Sequence, residues 1–442
     1  MSHPRSIPRS RLGRLGQLGL LAGGLAAGAL NEGTRQLLKG QRPRPGDMLL
    51  TPANAHRISE RLSEMRGAVM KVGQLLSMDS GQLLPEPLSE ALARLRDDAH
   101  PMPLGEVGQV LTRAWGQGWE QQFRRFHFTP LAAASIGQVH KAELKDGKQL
   151  AIKLQYPGIR ESIDSDVDNV GHLLKLLRQI PSTLDFDPLL EEAKRQLHLE
   201  ADYRHEADLL LQYSEWISGD ERFALPRLFT ALTTEQVMAM SYLEGEPIEA
   251  LAHYPADERN RIAASLLELA LRELFEWGLV QTDPNFSNYR YDSVSERVQL
   301  LDFGAVRSYP YERREALRKL LTACLCGDRR AMTEMAESVG YLAAKDPIAY
   351  RDQVVSLLNL VSEPLRQSHY AFGTTDLVER MSRILIDMRL QGSYGHLPPP
   401  DILFLHRKLG GLYLLFAKLK SRLAVRQLVE RFALKDPAPC LD

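Results

Sequence analysis

The sequence predicts an α+β chain of two lobes, a small sheet lobe and then a larger helical lobe, with a helical extension in front. Three observations predict it. Up to residue 116 apolar residues recur at steps of three and four. Between about 124 and 245 the pattern alternates by two in several short runs. Beyond Pro255 it returns to helical spacing, broken by one compact insert at 281–304. With 442 residues, 44% of them hydrophobic, the chain has ample apolar material for a large core. A net charge of −1 carries no footprint of a nucleic-acid binder. Three cysteines, Cys324, Cys326 and Cys440, offer no paired metal-ligand spacing.

The first 31 residues contain no acid but hold Arg5, Arg9, Arg11 and Arg14, followed by the uncharged run LGQLGLLAGGLAAGAL at 15–30. A spanning helix needs roughly 20 apolar residues, so this run is short. A membrane-associating helix suits its glycine spacing best (Gly19-xxx-Gly23 and Gly24-xxx-Gly28). A mitochondrial transit segment, a secretory signal and a plain leader stay open. GQRPRPGDMLLTPAN at 40–54 reads as a linker. Ile58, Leu62, Met65, Val69, Val72 and Leu76 then mark an amphipathic helix over 55–78, with further helices at 84–97 and 104–116.

The period changes at RRFHF (124–128), QVHKAEL (138–144) and QLAIKLQ (149–155), three strands with an Asp146-Gly147 hairpin turn before the third. Residues 186–217 read as one long helix, and 224–245 as two more short strands. The insert at 281–304 reads as loop, hairpin, loop. These boundaries divide the chain into a basic and apolar segment (1–40), a helical extension (41–118), a sheet lobe with one helix (119–245) and a helical lobe (246–442).

The residues suited to chemistry follow in the same order. Lys153 stands in the apolar strand Ala151-Ile152-Lys153, and an inward lysine there needs a carboxylate, because an unpaired buried charge is costly. Glu206 in the next helix is its natural partner. Asp283 and Asn288 lie five apart in QTDPNFSNY, and Asp302-Phe303-Gly304 follows the hairpin. Mg²⁺ favours oxygen ligands from one or two side chains plus substrate phosphates. Asn288 and Asp302 supply such an amide and carboxylate, leaving Asp283 to orient an acceptor hydroxyl or water. Phosphoryl transfer needs this kind of positioning and charge neutralisation. The set, in the order sheet lobe then helical lobe, is that of a protein-kinase-like nucleotide site. No glycine-rich phosphate loop precedes the lysine. In its place stands PLAAASIGQVH (130–140), where Ala132, Ala133, Ala134 and Ser135 offer backbone N–H groups without glycine's access to positive φ.

These motifs resemble the atypical kinases of the AarF/UbiB group, most closely its coenzyme Q (ubiquinone) biosynthesis branch. They are Lys71-Val72-Gly73-Gln74, the alanine run at 132–134 with Ser135, Ala151-Ile152-Lys153, Glu200-x-Asp202-Tyr203-x-x-Glu206, Asp283-Pro-Asn-x-x-Asn288 and Asp302-Phe303-Gly304. The resemblance runs from about Arg57 to about Leu419. It implies that Lys153 and Glu206 are the family's ion pair, Asp283 its catalytic-loop aspartate, and Asn288 and Asp302 its metal ligands. It further implies that the helical extension packs over the active site, with Lys71 and Gln74 beside Glu200 and Asp202, which disfavours peptide substrates.

The activity implied is ATP hydrolysis, or transfer to a small or lipid-like acceptor, in support of ubiquinone biosynthesis. A nucleotide-gated scaffold and a small-molecule phosphotransferase are the alternatives. The cofactors implied are ATP or ADP with Mg²⁺, or Mn²⁺ in its place. The partners implied are a membrane lipid or quinone precursor and enzymes of ubiquinone biosynthesis; a homodimer is compatible with the resemblance. The place implied is the cytoplasm or the cytoplasmic face of a bacterial inner membrane, with the mitochondrial inner membrane or matrix as the alternative. Two departures stand out. Gln281 occupies the position where protein kinases carry a histidine, and the uncharged run LGGLYLLFA at 409–417 is too short to span a bilayer.

Overall fold

The computed structural model describes residues 67–68, 71–72, 102–134, 136–176, 187–390 and 398–434. The segment at 1–40, the helix expected at 84–97 and most of that at 55–78, together with Gln74, Ser135 and Cys440, lie outside the described residues. Residues 67, 68, 71 and 72 are helical, in line with the spacing there. The chain divides into two compact units. One holds residues up to Tyr213 plus Pro226–Tyr242, the other Ser214–Leu225 plus Leu243 onward.

The first unit is built on an antiparallel sheet. Helix α1 (Leu104–Trp115) precedes β1 (Phe123–Phe126), β2 (Ala132–Ala133), β3 (Gly137–Leu144) and β4 (Gln149–Gln155). After α2 (Ile159–Leu176), α3 (Asp187–Glu200) and α4 (Tyr203–Ile217) comes β5 (Phe223–Ala224) of the other unit, and β6 (Val237–Ser241) completes the sheet. The strand order is β1-β3-β4-β6, with β2 laid on β3. Gly147 turns the β3–β4 hairpin at φ 84°, as the Asp-Gly signal predicts. One face is dry: Val107, Val110 and Leu111 of α1 meet Ala142, Leu150, Ile152, Leu154 and Ala239 of the sheet. Because strand residues alternate between faces, packing Ile152 and Leu154 into this core turns Lys153 and Gln155 to the other side.

Two expectations change here. Residues 186–217 form two helices, because the chain breaks at Ala201-Asp202. Asp202 Oδ1 accepts the N–H groups of Arg204 and His205 (both 3.2 Å), which caps α4 and ends the preceding helix. The sheet lobe also carries more than one helix. The spacing of Ile163, Val167 and Val170 buries one stripe of α2 beneath an otherwise acidic sequence whose weak apolar signal hid it.

The second unit is mostly helical. β7 (Glu246–Pro247) leads to α5 (Ala256–Arg272), which widens into a π turn at Glu273–Trp277. β9 (Tyr289–Asp292) and β10 (Arg297–Leu300) lie in the expected insert at 281–304, flanked by β8 (Leu279–Gln281) and β11 (Val306–Ser308). β9 and β10 make its hairpin within a sheet of order β5-β10-β9-β7, and β8 pairs with β11. The helices α6 (Tyr311–Cys326), α7 (Arg329–Val339), α8 (Ile348–Val361), α9 (Leu377–Leu390), α10 (Pro400–Lys418) and α11 (Val425–Ala433) follow, with the short strands β12 (Tyr370–Ala371) and β13 (Arg422–Leu423) among them. Val280, Tyr291, Val298, Ala263 and Phe404 are fully buried, so the insert is anchored by core residues rather than hung from the surface. Among the described residues no helix is long and apolar enough to cross a membrane.

Candidate active site

In the sheet unit the predicted ion pair is formed. Lys153 Nζ donates to Glu206 Oε1, and the two side chains are only 9% and 3% exposed. At that burial neither charge is solvated by water, so each depends on the other. Strand β4 fixes the lysine, and the Asp202 cap fixes the first turn of α4 that carries Glu206. Gln155, two residues beyond Lys153 on the same face, donates from Nε2 to the carbonyls of Ala201 (2.8 Å) and Glu235 (3.1 Å). It pins the α3–α4 break to the strand, a role with no motif to announce it. Lys71, 4% exposed, pairs with Glu200 at the end of α3. Asp202 stands two positions beyond Glu200, and Gln74 lies outside the described residues.

The alanine run is a tight hairpin arm. Ala132 and Ala133 are exposed and paired with Val139 and Gln138. Leu131 and Ala134 donate their N–H groups to Val139 O and Gly137 O at 2.7 and 2.8 Å. The N–H of Ala134 is therefore committed within the hairpin, and freeing it for a phosphate requires the turn to open.

In the helical unit, Asp283, Asn288 and Asp302 sit on two loops tied at both ends. Thr282 donates both its N–H (3.1 Å) and its hydroxyl (2.7 Å) to Ala305 O. Leu301 N donates to Asn288 O at 3.0 Å, and Leu300 pairs with Tyr289. The loops holding the amide and the carboxylate are thus neighbours by backbone hydrogen bonding. Asn288 donates from Nδ2 to Asp283 Oδ2 (2.9 Å), so its amide oxygen is the atom that could ligate a metal. Asp302 Oδ1 accepts the Gly304 N–H at 3.0 Å. No group of three or more histidine, cysteine or carboxylate residues among the described residues suits a metal by itself.

Helix α10 supplies what the motifs do not. Arg407 Nη2 pairs with Asp283 Oδ1, so the aspartate expected to stand ready for an acceptor is held by Arg407 and Asn288. Lys408, 2% exposed, lies 3.3 Å from the buried Glu273 carboxylate. Burial alone drives its ammonium pKa down, but the charge of Glu273 and the hydroxyl of Tyr289 outweigh this and hold it above the ordinary lysine value. Burial pushes the Tyr289 phenol up. One helical turn on, a Cβ at Gly411 would stand 2.0 Å from Pro284 Cβ, so the helix backbone touches the Asp283 loop where only glycine fits. The one sequence signal for these residues is a pair of cations inside an otherwise apolar helix.

A buried strand lysine paired with a helix carboxylate, followed by Asp-x-x-x-x-Asn and Asp-Phe-Gly loops in a helical unit, defines a kinase-like phosphotransferase. Residues 94–336 match the ABC1 atypical kinase-like domain. The chain is 34% identical over 438 residues to atypical kinase COQ8, mitochondrial, of Saccharomyces cerevisiae, covering 97% of this chain and 86% of that one. It is 36% identical over 436 residues to atypical kinase COQ8B, mitochondrial, of Rattus norvegicus, covering 97% and 81%. A Mycobacterium tuberculosis protein solved in complex with erythromycin superposes with a TM-score of 0.57 at 24% identity, over 91% of this chain and 98% of that one, a likeness of fold. The chain belongs to the ABC1 atypical kinase-like family, in the AarF/UbiB group and its coenzyme Q branch.

Proposed function

We propose that this chain binds Mg-ATP or Mg-ADP and hydrolyses ATP, or passes its phosphoryl group to a small or lipid-like acceptor, in support of ubiquinone biosynthesis. The observation that carries the reading is the tie between the Asp283–Asn288 loop and the Asp302 loop, in a chain whose buried Lys153 is already paired with Glu206. Lys153 neutralises phosphate charge, and Glu206 holds it. Asn288 and Asp302 hold the metal, which screens the phosphate oxygens during transfer. Asp283 orients the acceptor. The exposed Ala132–Ala133 arm and Ser135 cover the phosphates, and the Lys71–Gln74 helix, anchored through Glu200 with Asp202 beside it in sequence, keeps peptides out. The extension at 41–118, a nucleotide lobe at 119–245 and a helical lobe at 246–442 divide these tasks.

The mitochondrial names of the relatives support a mitochondrial setting, and we assign the chain to the inner membrane or matrix there, or to the cytoplasm or cytoplasmic face of the inner membrane in a bacterium. The partners we assign are a membrane lipid or quinone precursor and the enzymes that modify it. A second reading, a nucleotide-gated scaffold with little turnover, is favoured by the engagement of Asp283 with Arg407.

Thermal shift with Mg-ADP tests nucleotide binding, with Lys153→Ala as the control. The expected result is a rise in Tm for the wild-type chain only; no rise in either removes the nucleotide reading. Quinone profiles of cells carrying Lys153→Ala or Asp283→Asn test the rest. Loss of ubiquinone in both supports catalysis, survival of Asp283→Asn alone supports the scaffold, and unchanged ubiquinone in both removes the biosynthetic assignment.

A further inference from the structure

Lys408 touches the Gln281–Tyr289 segment on both sides of its functional residues. Its Nζ lies 3.4 Å from Gln281 Oε1, two positions before Asp283, and 3.0 Å from the Tyr289 hydroxyl, one position after Asn288. Among the described residues it is the sole polar side-chain partner of both, and the Gln281 amide nitrogen has none. The side chains of the lysine and Glu273 are both almost wholly buried. Glu273 is delivered by the π turn that ends α5, a local widening often found at functional sites. A buried ion pair of this kind is poor value for stability, since apolar residues of similar size commonly serve as well or better. What an apolar pair cannot do is hold an amide and a phenol at fixed points.

We propose that Lys408, neutralised by Glu273, is a positioning residue that sets the spacing of the two ends of the Gln281–Tyr289 segment and so the metal-binding competence of Asn288. The inference rests on the phosphotransfer reading and adds to it. Gln281 marks the upstream end, through β8 and its pairing with β11. Tyr289 marks the downstream end, through β9 and its pairing with β10. One ammonium therefore connects the strand that enters the loop to the strand that leaves it. Orienting groups behind a metal ligand commonly change metal affinity by ~10–100-fold when removed.

The test separates packing from positioning. Full-length wild type, Lys408→Met and the double variant Lys408→Met with Glu273→Leu are compared by thermal unfolding and by Mn²⁺ titration in the presence of ADP, read by electron paramagnetic resonance. Lys408→Met alone lowers Tm, because the buried Glu273 carboxylate loses the positive charge opposite it. The double variant regains Tm, while its Mn²⁺ affinity stays about tenfold weaker. A double variant with both wild-type Tm and wild-type Mn²⁺ affinity overturns the proposal. If the double variant does not fold, Tyr289→Phe decides: it removes one hydroxyl from the clamp, and Mn²⁺ binding that weakens supports positioning, whereas unchanged binding overturns it. A wild-type chain that binds no Mn²⁺ with ADP overturns the nucleotide reading and this inference together; variants that match a binding wild type overturn this inference alone.

Discussion

The two units hold their charged residues in different ways. In the sheet unit the motif lysines Lys153 and Lys71 pair with Glu206 and Glu200, carboxylates on either side of the α3–α4 break. In the helical unit the cations that touch the Asp283–Tyr289 segment both come from α10. Arg407 reaches Asp283 across 124 positions, and Lys408 reaches Tyr289 across 119. The first arrangement fixes one side chain by another. The second fixes a whole loop by clamping it at several points, which suits the acceptor and metal roles proposed for that segment. The difference teaches where perturbations act: on charge compensation in the sheet unit, on loop geometry in the helical unit.

The largest expected effect tests the first half of that contrast. Lys153→Ala leaves Glu206 buried without its charge partner, and removing one member of a buried pair costs about 3–5 kcal/mol. Chemical denaturation of the full chain should show a loss in that range, and Glu206→Gln in the Lys153→Ala background should recover part of it. A loss below about 1 kcal/mol would show that water reaches Glu206, and the one-to-one description of the sheet unit would fail.

Gly411→Ala tests the second half. The new methyl meets Pro284 at 2.0 Å, so either α10 or the Asp283 loop must shift. Overpacking of this kind costs about 1–3 kcal/mol. Because Arg407 and Lys408 sit one turn away on the same helix, the shift is transmitted to Asp283 and turnover should fall by more than the stability loss explains. Turnover at a temperature where the variant is fully folded measures this. Full activity there would mean that the loop is placed by its own backbone ties, not by the helix.

The same contrast governs what the sequence revealed. Lys153, Glu206, Asp283, Asn288 and Asp302 stood in short motifs whose spacing reports a strand, a helix turn or a hairpin, so local physics was enough to name them. Strands β3 and β4 were readable to within a residue, because alternation and an Asp-Gly turn are local too. Arg407, Lys408, Glu273 and Gly411 were not named, because each matters only through a residue far away in sequence. Gln155 was hidden for a related reason: its partners are backbone carbonyls, which no residue type announces. The break at Ala201-Asp202 was missed because Asp202 reads as one more acid in a charged helix until its capping bonds are seen.

Asp202→Ala probes that break with a smaller effect. Loss of an N-cap costs about 1 kcal/mol. It frays the turn that begins α4 at Tyr203, and Glu206 lies in that turn. Nucleotide-induced thermal shift should weaken while the unliganded Tm falls only slightly. Asp202→Asn, which can still cap, should restore both. If Asp202→Asn fails like alanine, the carboxylate charge itself is needed, and Asp202 then acts on a ligand rather than on the helix.

The smallest effect is expected where a salt bridge belongs to neither network. Arg124 on β1 pairs with Glu143 on β3 at 2.9 Å, but its side chain is 71% exposed. Water screens the pair, and holding two long side chains together costs entropy, so it is worth at most about 0.5 kcal/mol. Arg124→Ala should leave the denaturation midpoint and the nucleotide-induced shift at wild-type values, in low salt and high salt alike. A larger loss confined to low salt would show that the sheet edge draws on long-range attraction between charges. The pairing of Lys153 and Lys71 with single carboxylates would then be one part of a wider charge network in the sheet unit.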